Sequence, residues 1–144
     1  MIAVDTNILV YAHRPDSPWH SVARSSVKEL AENPAPWAIL WPCVHEFLST
    51  ATHPRIYRPP STPLQAIEQV EAWRESPSLA LLGEGPDHWE TLKRLVSAGR
   101  IAGGAVHDTR VAALCLQHGV TALWSADRDF SRFPDLKVVN PLLR

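Results

Sequence analysis

The sequence predicts an α/β fold in which a mainly parallel sheet carries helices on both faces. Two observations predict it. Short apolar, β-rich runs recur along the 144 residues, and segments with apolar and charged residues at helical spacing separate them. Alternation of strand and helix is the pattern of parallel strands joined by right-handed crossovers. In such sheets ligands bind outside the carboxyl ends of the strands.

The strands are expected at "IAV" (2–4), "WAILW" (37–41), "LALL" (79–82), "TALW" (121–124) and "KVV" (137–139). Helices are expected over 18–32, 64–75 and 86–98, each opened by Ser, Thr, Pro or Asp. A further apolar stripe at Val44, Phe47, Leu48 and Ala51 marks a helix after the second strand. "HDTRVAALCLQHG" reads as a buried helix that ends at Gly119. Between the second-strand helix and the next, "THPRIYRPPSTP" (52–63) holds Pro54, Pro59, Pro60 and Pro63, which forbid a regular helix. It is expected to be a surface loop within one domain spanning 1–144, since too few residues flank it for two cores.

Composition narrows the class. An apolar fraction of 45% with 20% charged residues is that of a globular chain, and no run approaches the roughly 20 apolar residues of a membrane span. Asp5 and Asn7 interrupt the first ten residues, so no secretory leader is read and the mature chain is expected to start at Met1. Cys43 and Cys115 stand far apart in apolar company, as buried free thiols of a reducing cytoplasm would. The net charge of −1 advertises no polyanion partner, so one would have to be held locally. Six scattered tryptophans read as packing rather than as a stacking platform. The seven histidines form no HxxxH or HxH pair, and GxGxxG, GxxxxGK[ST] and GxSxG are absent.

The acids carry the chemistry. Asp5 follows the first strand and precedes "ILVYA", where it is equally well explained as an N-cap. Glu46 falls roughly opposite the apolar stripe of its helix and reads, by itself, as a solvated residue. Asp108 shares a helical face with Val111, Ala112 and Cys115, or caps the helix after Gly103-Gly104. Asp127 follows the fourth strand, where turn-forming acids are common, and Asp129 stands close behind. Taken together they say more. If the first and fourth strands are neighbours at a switch point, Asp5, Asp108 and Asp127 converge, and converging carboxylates need protons or a cation. Hard oxygen ligands select Mg²⁺ or Mn²⁺ and suit phosphodiester chemistry.

"AVDTNILVYA", Glu46 in its helix, "HDTRVAALCLQHG" and "WSADRDFSRFPDLKVVNP" together resemble the PIN-domain nucleases over essentially the whole chain. The size, the proline-bearing loop and the closing "KVVNP" more narrowly resemble VapC-type ribonuclease toxins of bacterial toxin–antitoxin pairs. The resemblance implies a three-layer α/β/α sandwich with about five strands. It also implies an Mg²⁺- or Mn²⁺-dependent endoribonuclease that inhibits translation, with Asp5, Glu46, Asp108 and Asp127 as the catalytic and metal-binding quartet. Thr6, Asn7 and Ser125 match the polar positions that orient ligands or water, and Asp129 matches an auxiliary acidic position. Further implications are a small VapB-like antitoxin partner and a homodimer. For RNA phosphates the local candidates are Arg14, Arg55, Arg58, Arg110, Arg128 and Arg132. Two other readings stand beside this one. A non-catalytic PIN-like module would bind RNA or protein without cutting. An aspartyl-phosphate phosphatase would use Asp5 as nucleophile, although Asn7 follows it and no lysine of the late chain precedes Lys137.

Overall fold

The computed structural model describes residues 1–143. In chain order the elements are β1 (Ile2–Val4), α1 (Thr6–His13), α2 (His20–Glu32), β2 (Trp37–Leu40), α3 (Trp41–Ala51), α4 (Pro63–Arg74), β3 (Leu79–Leu82), α5 (His88–Gly99), α6 (Ala105–Gln117), β4 (Ala122–Trp124) and β5 (Val138–Val139). Two short 3-10 turns, Arg128–Arg132 and Pro141–Leu143, complete it.

All four strand pairings are parallel, and the order is β3-β2-β1-β4-β5. The expected five-strand parallel sheet is therefore present, with six helices around it. β1 lies at its centre, registered against β2 through Ile2 and Trp37 and against β4 through Val4 and Trp124. The direction of winding reverses between these neighbours, so the switch point lies where β1 and β4 end.

Burial follows position in the sheet. β2 is buried throughout, β4 likewise, whereas the edge strands β3 and β5 are only half-buried. Phe47 of α3 is wholly buried and meets Trp73 of α4 edge-on at 4.8 Å between ring centroids. Cys43 and Cys115 are buried free thiols.

Local signals explain the helix ends. Thr62 and Gln65 form a capping box ahead of α4, with Thr62 Oγ1 accepting from Gln65 N at 3.1 Å and Gln65 Oε1 accepting from Thr62 N at 2.9 Å. α6 closes in a Schellman turn, with Val120 N donating to Cys115 O at 2.9 Å across Gly119 at φ 66°. The structure differs from expectation in three places. Trp41 opens α3 instead of ending β2, because Pro42 suits a first helical turn and lacks the N–H a strand needs. Asp108 sits in the first turn of α6, not at its cap, which is Gly104. Trp37, Trp73 and Trp124 do pack inside, but Trp19, Trp41 and Trp89 are exposed, so half of the tryptophans lie outside the core.

Candidate active site

At the switch point a cleft of about 680 Å³ opens, lined by Asp5, Thr6, Asn7, Glu46, His107, Asp108, Arg110 and Asp127 among others. Asp5, Asp108 and Asp127 arrive there because a secondary-structure element ends or begins beside each, and Glu46 arrives from the middle of α3.

Asp5 is the residue at which β1 becomes α1. Its extended backbone caps the helix, and its Oδ1 accepts from Thr6 N at 2.8 Å. Its Oδ2 accepts from Ser125 Oγ at 2.7 Å, and Asn7 Nδ2 lies 3.5 Å away. The Cys43 thiol approaches Oδ1 at 3.6 Å. The capping role and the cleft-lining role are thus filled by one carboxyl group. Burial pushes its pKa up to about 6, against the bonds from Ser125 and Thr6 that favour ionisation; the Glu46 charge adds to the rise.

Ser125 ties the two strand ends together. Besides donating to Asp5, its Oγ accepts from Asn7 Nδ2 at 3.3 Å and from Asp127 N at 3.0 Å. Asn7 Oδ1 in turn accepts from Ala126 N at 3.3 Å. The polar residues around "DTN" and "SAD" therefore hold the β1 and β4 corners in one network.

Glu46 projects from α3 into the same cleft, and its Oε2 accepts from Thr6 Oγ1 at 3.1 Å. The helical wheel placed it away from the core, and it is exposed. Both facts hold, because the side of α3 turned from the core faces this open cleft rather than bulk surface.

Asp108, Asp127 and Asp129 form the tightest group: one carboxylate oxygen from each lies within 4.8 Å of the others. Asp127 caps the 3-10 turn with Oδ1 accepting from Asp129 N at 2.9 Å, which brings the second acid round. Burial raises the Asp108 pKa, and the Asp127 and Asp129 charges raise it further. A donor set made only of carboxylate oxygens, mutually repelling, fits a hard divalent cation.

The arginines divide differently from expectation. Arg14 does not reach the cleft: its guanidinium takes Asp16 through two bonds of 2.8 and 2.6 Å, and donates to Ser61 Oγ and Pro59 O. It stacks 4.4 Å from the centre of the Tyr57 ring. The bidentate Asp16 pair and the returning loop thus take most of the guanidinium's N–H groups. Arg55 and Arg58 are exposed on that loop, whose cleft-lining side chains are Ile56 and Tyr57. Arg110 lines the cleft but pairs with Glu84. Arg128 borders a neighbouring groove that shares Asp127, and Arg132 Nε donates to Asp129 O at 3.1 Å.

Several cleft residues were not singled out by the sequence. Tyr11 stands one helical turn beyond Asn7, and Ser49 and Thr50 stand one turn beyond Glu46. That i+3 and i+4 spacing was the available signal. Ile56 and Tyr57 carried none, because only the path of the loop brings them in.

Comparison with known proteins agrees with this geometry. The PIN domain model matches residues 2–136. Ribonuclease VapC43 of Mycobacterium tuberculosis is 34% identical over 142 residues, 99% of this chain and 96% of its own. VapBC2 from Rickettsia felis, solved bound to a DNA fragment from the promoter, has a TM-score of 0.72 at 19% identity, covering 97% and 98% of the two chains. A toxin–antitoxin complex from Klebsiella pneumoniae has a TM-score of 0.65 at 19% identity over 98% of each chain. A parallel sheet whose switch point gathers these acids, in a chain with such relatives, belongs to the PIN-domain family, among the VapC ribonucleases.

Proposed function

We propose that this protein is a metal-dependent endoribonuclease, the toxin of a VapBC-type pair, and that it inhibits translation by hydrolysing RNA phosphodiester bonds at the acid cluster. The observation that carries the reading is the convergence of Asp5, Glu46, Asp108 and Asp127 on one cleft, with Asp129 against the last two. Asp108, Asp127 and Asp129, with Asp5 and Glu46 facing them, would hold Mg²⁺ or Mn²⁺. Such an ion neutralises phosphate charge and lowers the pKa of water.

The chain's own residues supply position. Ser125, Thr6 and Asn7 fix Asp5, and Thr6 fixes Glu46 in the cleft, where a carboxylate can accept the proton of an attacking water. Hydrolysis then forms one P–O bond and breaks another, with the proton delivered to the departing ribose oxygen. The phosphatase reading loses ground, because no lysine lines the cleft among the described residues. The partners are RNA and a VapB-like antitoxin, as the toxin–antitoxin neighbours suggest, and the protein acts in the cytoplasm as a homodimer of one-domain chains. No described helix is long and apolar enough to cross a membrane.

The test is cleavage of total cellular RNA by purified protein with Mg²⁺, Mn²⁺ or EDTA, beside Asp5→Asn and Asp108→Asn. Discrete metal-dependent fragments lost in both variants are expected. Folded, metal-loaded protein whose Asp5→Asn variant behaves as the wild type would favour a non-catalytic binding module.

A further inference from the structure

One part of the cleft is apolar and aromatic rather than acidic. Val10 and Tyr11 lie one helical turn, a rise of about 5.4 Å, along α1 from Thr6 and Asn7. Ile56 and Tyr57 close the same part from the proline loop, and Ile56 is 54% exposed although it lines a cleft. Tyr57 is held by Arg14. The Arg14 guanidinium stacks on its ring while donating to Pro59 O at 2.9 Å and Ser61 Oγ at 3.1 Å, so one nearly buried cation fastens the loop at three points. Ser61 N also donates to Ala51 O at 2.9 Å, anchoring the loop's far end on α3.

We propose that this aromatic wall is a subsite for an unpaired nucleobase next to the phosphate at the acids, and that Arg14 is the positioning residue that holds Tyr57 for stacking. The inference rests on the nuclease reading. Its force comes from the way the Tyr57 ring is fixed at the cleft that Tyr11 also lines. The chain carries a net charge of −1, the cleft gathers acids, and the one arginine that lines it among the described residues is paired with Glu84. Stacking on the fixed Tyr57 ring would add base contact to what a cation at the acids and the exposed Arg55 and Arg58 of the same loop offer the phosphates. Ser49 and Thr50 place hydroxyls in the same cleft, where they can meet a base edge but add nothing for a purely apolar occupant. The site thus selects single-stranded RNA whose bases can splay out.

The experiment measures binding of a fluorescein-labelled, mixed-sequence single-stranded RNA 12-mer and of the same backbone with abasic riboses. Both are titrated in Mg²⁺ against an Asp108→Asn background that suppresses cutting. Removing the bases is expected to raise Kd about 5- to 30-fold. Tyr57→Ala is expected to weaken binding of the natural RNA by a similar factor and to leave abasic RNA unaffected, while Tyr57→Phe retains discrimination. Arg14→Gln is expected to act like Tyr57→Ala and to speed tryptic cutting after Arg55, with thermal melts confirming that each variant folds. Equal binding of natural and abasic RNA, or a Tyr57→Ala effect equal on both, overturns the subsite and leaves the nuclease reading standing. Unaltered RNA binding with lost binding of a partner-derived peptide assigns the wall to the partner and overturns the subsite too. Binding of neither RNA overturns both.

Discussion

Asp5→Asn is expected to stabilise the metal-free protein at neutral and alkaline pH while abolishing cleavage. The Asp5 carboxyl titrates at about 6 in the folded chain against 3.8 ordinarily. At about 1.4 kcal/mol for each pH unit of separation, keeping it ionised costs the fold about 3 kcal/mol. The folded pKa lies above the unfolded one, so this penalty is nearly absent below pH ~4, grows between ~4 and ~6, and is complete above ~6. Asparagine escapes it, but keeps only one acceptor oxygen where Asp5 uses two, for Thr6 N and for Ser125 Oγ. The size of that loss does not vary with pH. The decisive quantity is therefore the swing: from about pH 4 to pH 8, in EDTA, the variant gains about 2 kcal/mol relative to wild type. Urea unfolding at both pH values measures it, and for a chain of this size the swing corresponds to roughly 4–8 °C in Tm. Saturating Mg²⁺ reverses the order near pH 8, because a ligand bound only by the folded state stabilises it. A flat difference across pH, or a swing in favour of the wild type, would refute the account of Asp5 as a buried charge held for a cation.

Other perturbations reach separate parts of the structure. Ser125→Ala removes the shortest bond to Asp5 and is expected to cut metal-dependent cleavage by about 10- to 100-fold with the fold intact; an unimpaired rate in a cleavage assay would show that Ser125 serves only the corner. Phe47→Ala empties a fully buried site against Trp73 and is expected to cost about 3–5 kcal/mol in urea unfolding, and a loss under about 1 kcal/mol would contradict the packing. Gly119→Ala meets no atom within 4 Å, so only its φ of 66° opposes it, and a loss of about 1 kcal/mol is expected in the same assay. A much larger loss there would mean that the α6 turn is crowded.

The strands were legible because a parallel sheet buried on both faces needs short continuous apolar runs, and β2 and β4 are buried at every position. Gly119 announced the end of α6 because a Schellman turn needs a left-handed residue. The acids' meeting was legible only through topology: nothing local to Asp5 points to Asp127 until β1 and β4 are neighbours. Glu46 and Arg14 mark the limit from opposite sides. A helical wheel treats the core as the sole destination of a face, so it could not tell that the outer face of α3 looks into a cleft. A basic residue near the acids in sequence looked like a phosphate contact. Asp16 two residues on, and a loop returning more than forty residues later, satisfy Arg14 first.

The two halves of the acid cluster are built on different physics, and this bears on how the site loads. Asp5 is buried but met by donors from Thr6 and Ser125, so its position survives without a cation. Asp108, Asp127 and Asp129 are more open; among the described residues Asp127 Oδ1 accepts the backbone N of Asp129, and the Arg132 charge offsets part of the repulsion on Asp108, leaving the rest to water or an ion. A carboxylate held by protein donors keeps its geometry at any metal concentration, whereas one held by repulsion balance moves when the cation arrives. Loading is therefore expected to order the 127–132 turn and the start of α6 while leaving the Asp5 corner unchanged. Amide hydrogen exchange with and without Mg²⁺ checks this: protection should rise at Asp127, Arg128 and Asp129 and stay constant at Thr6 and Asn7. Equal gains at both corners would mean that the Asp5 network is completed by the metal rather than by Ser125.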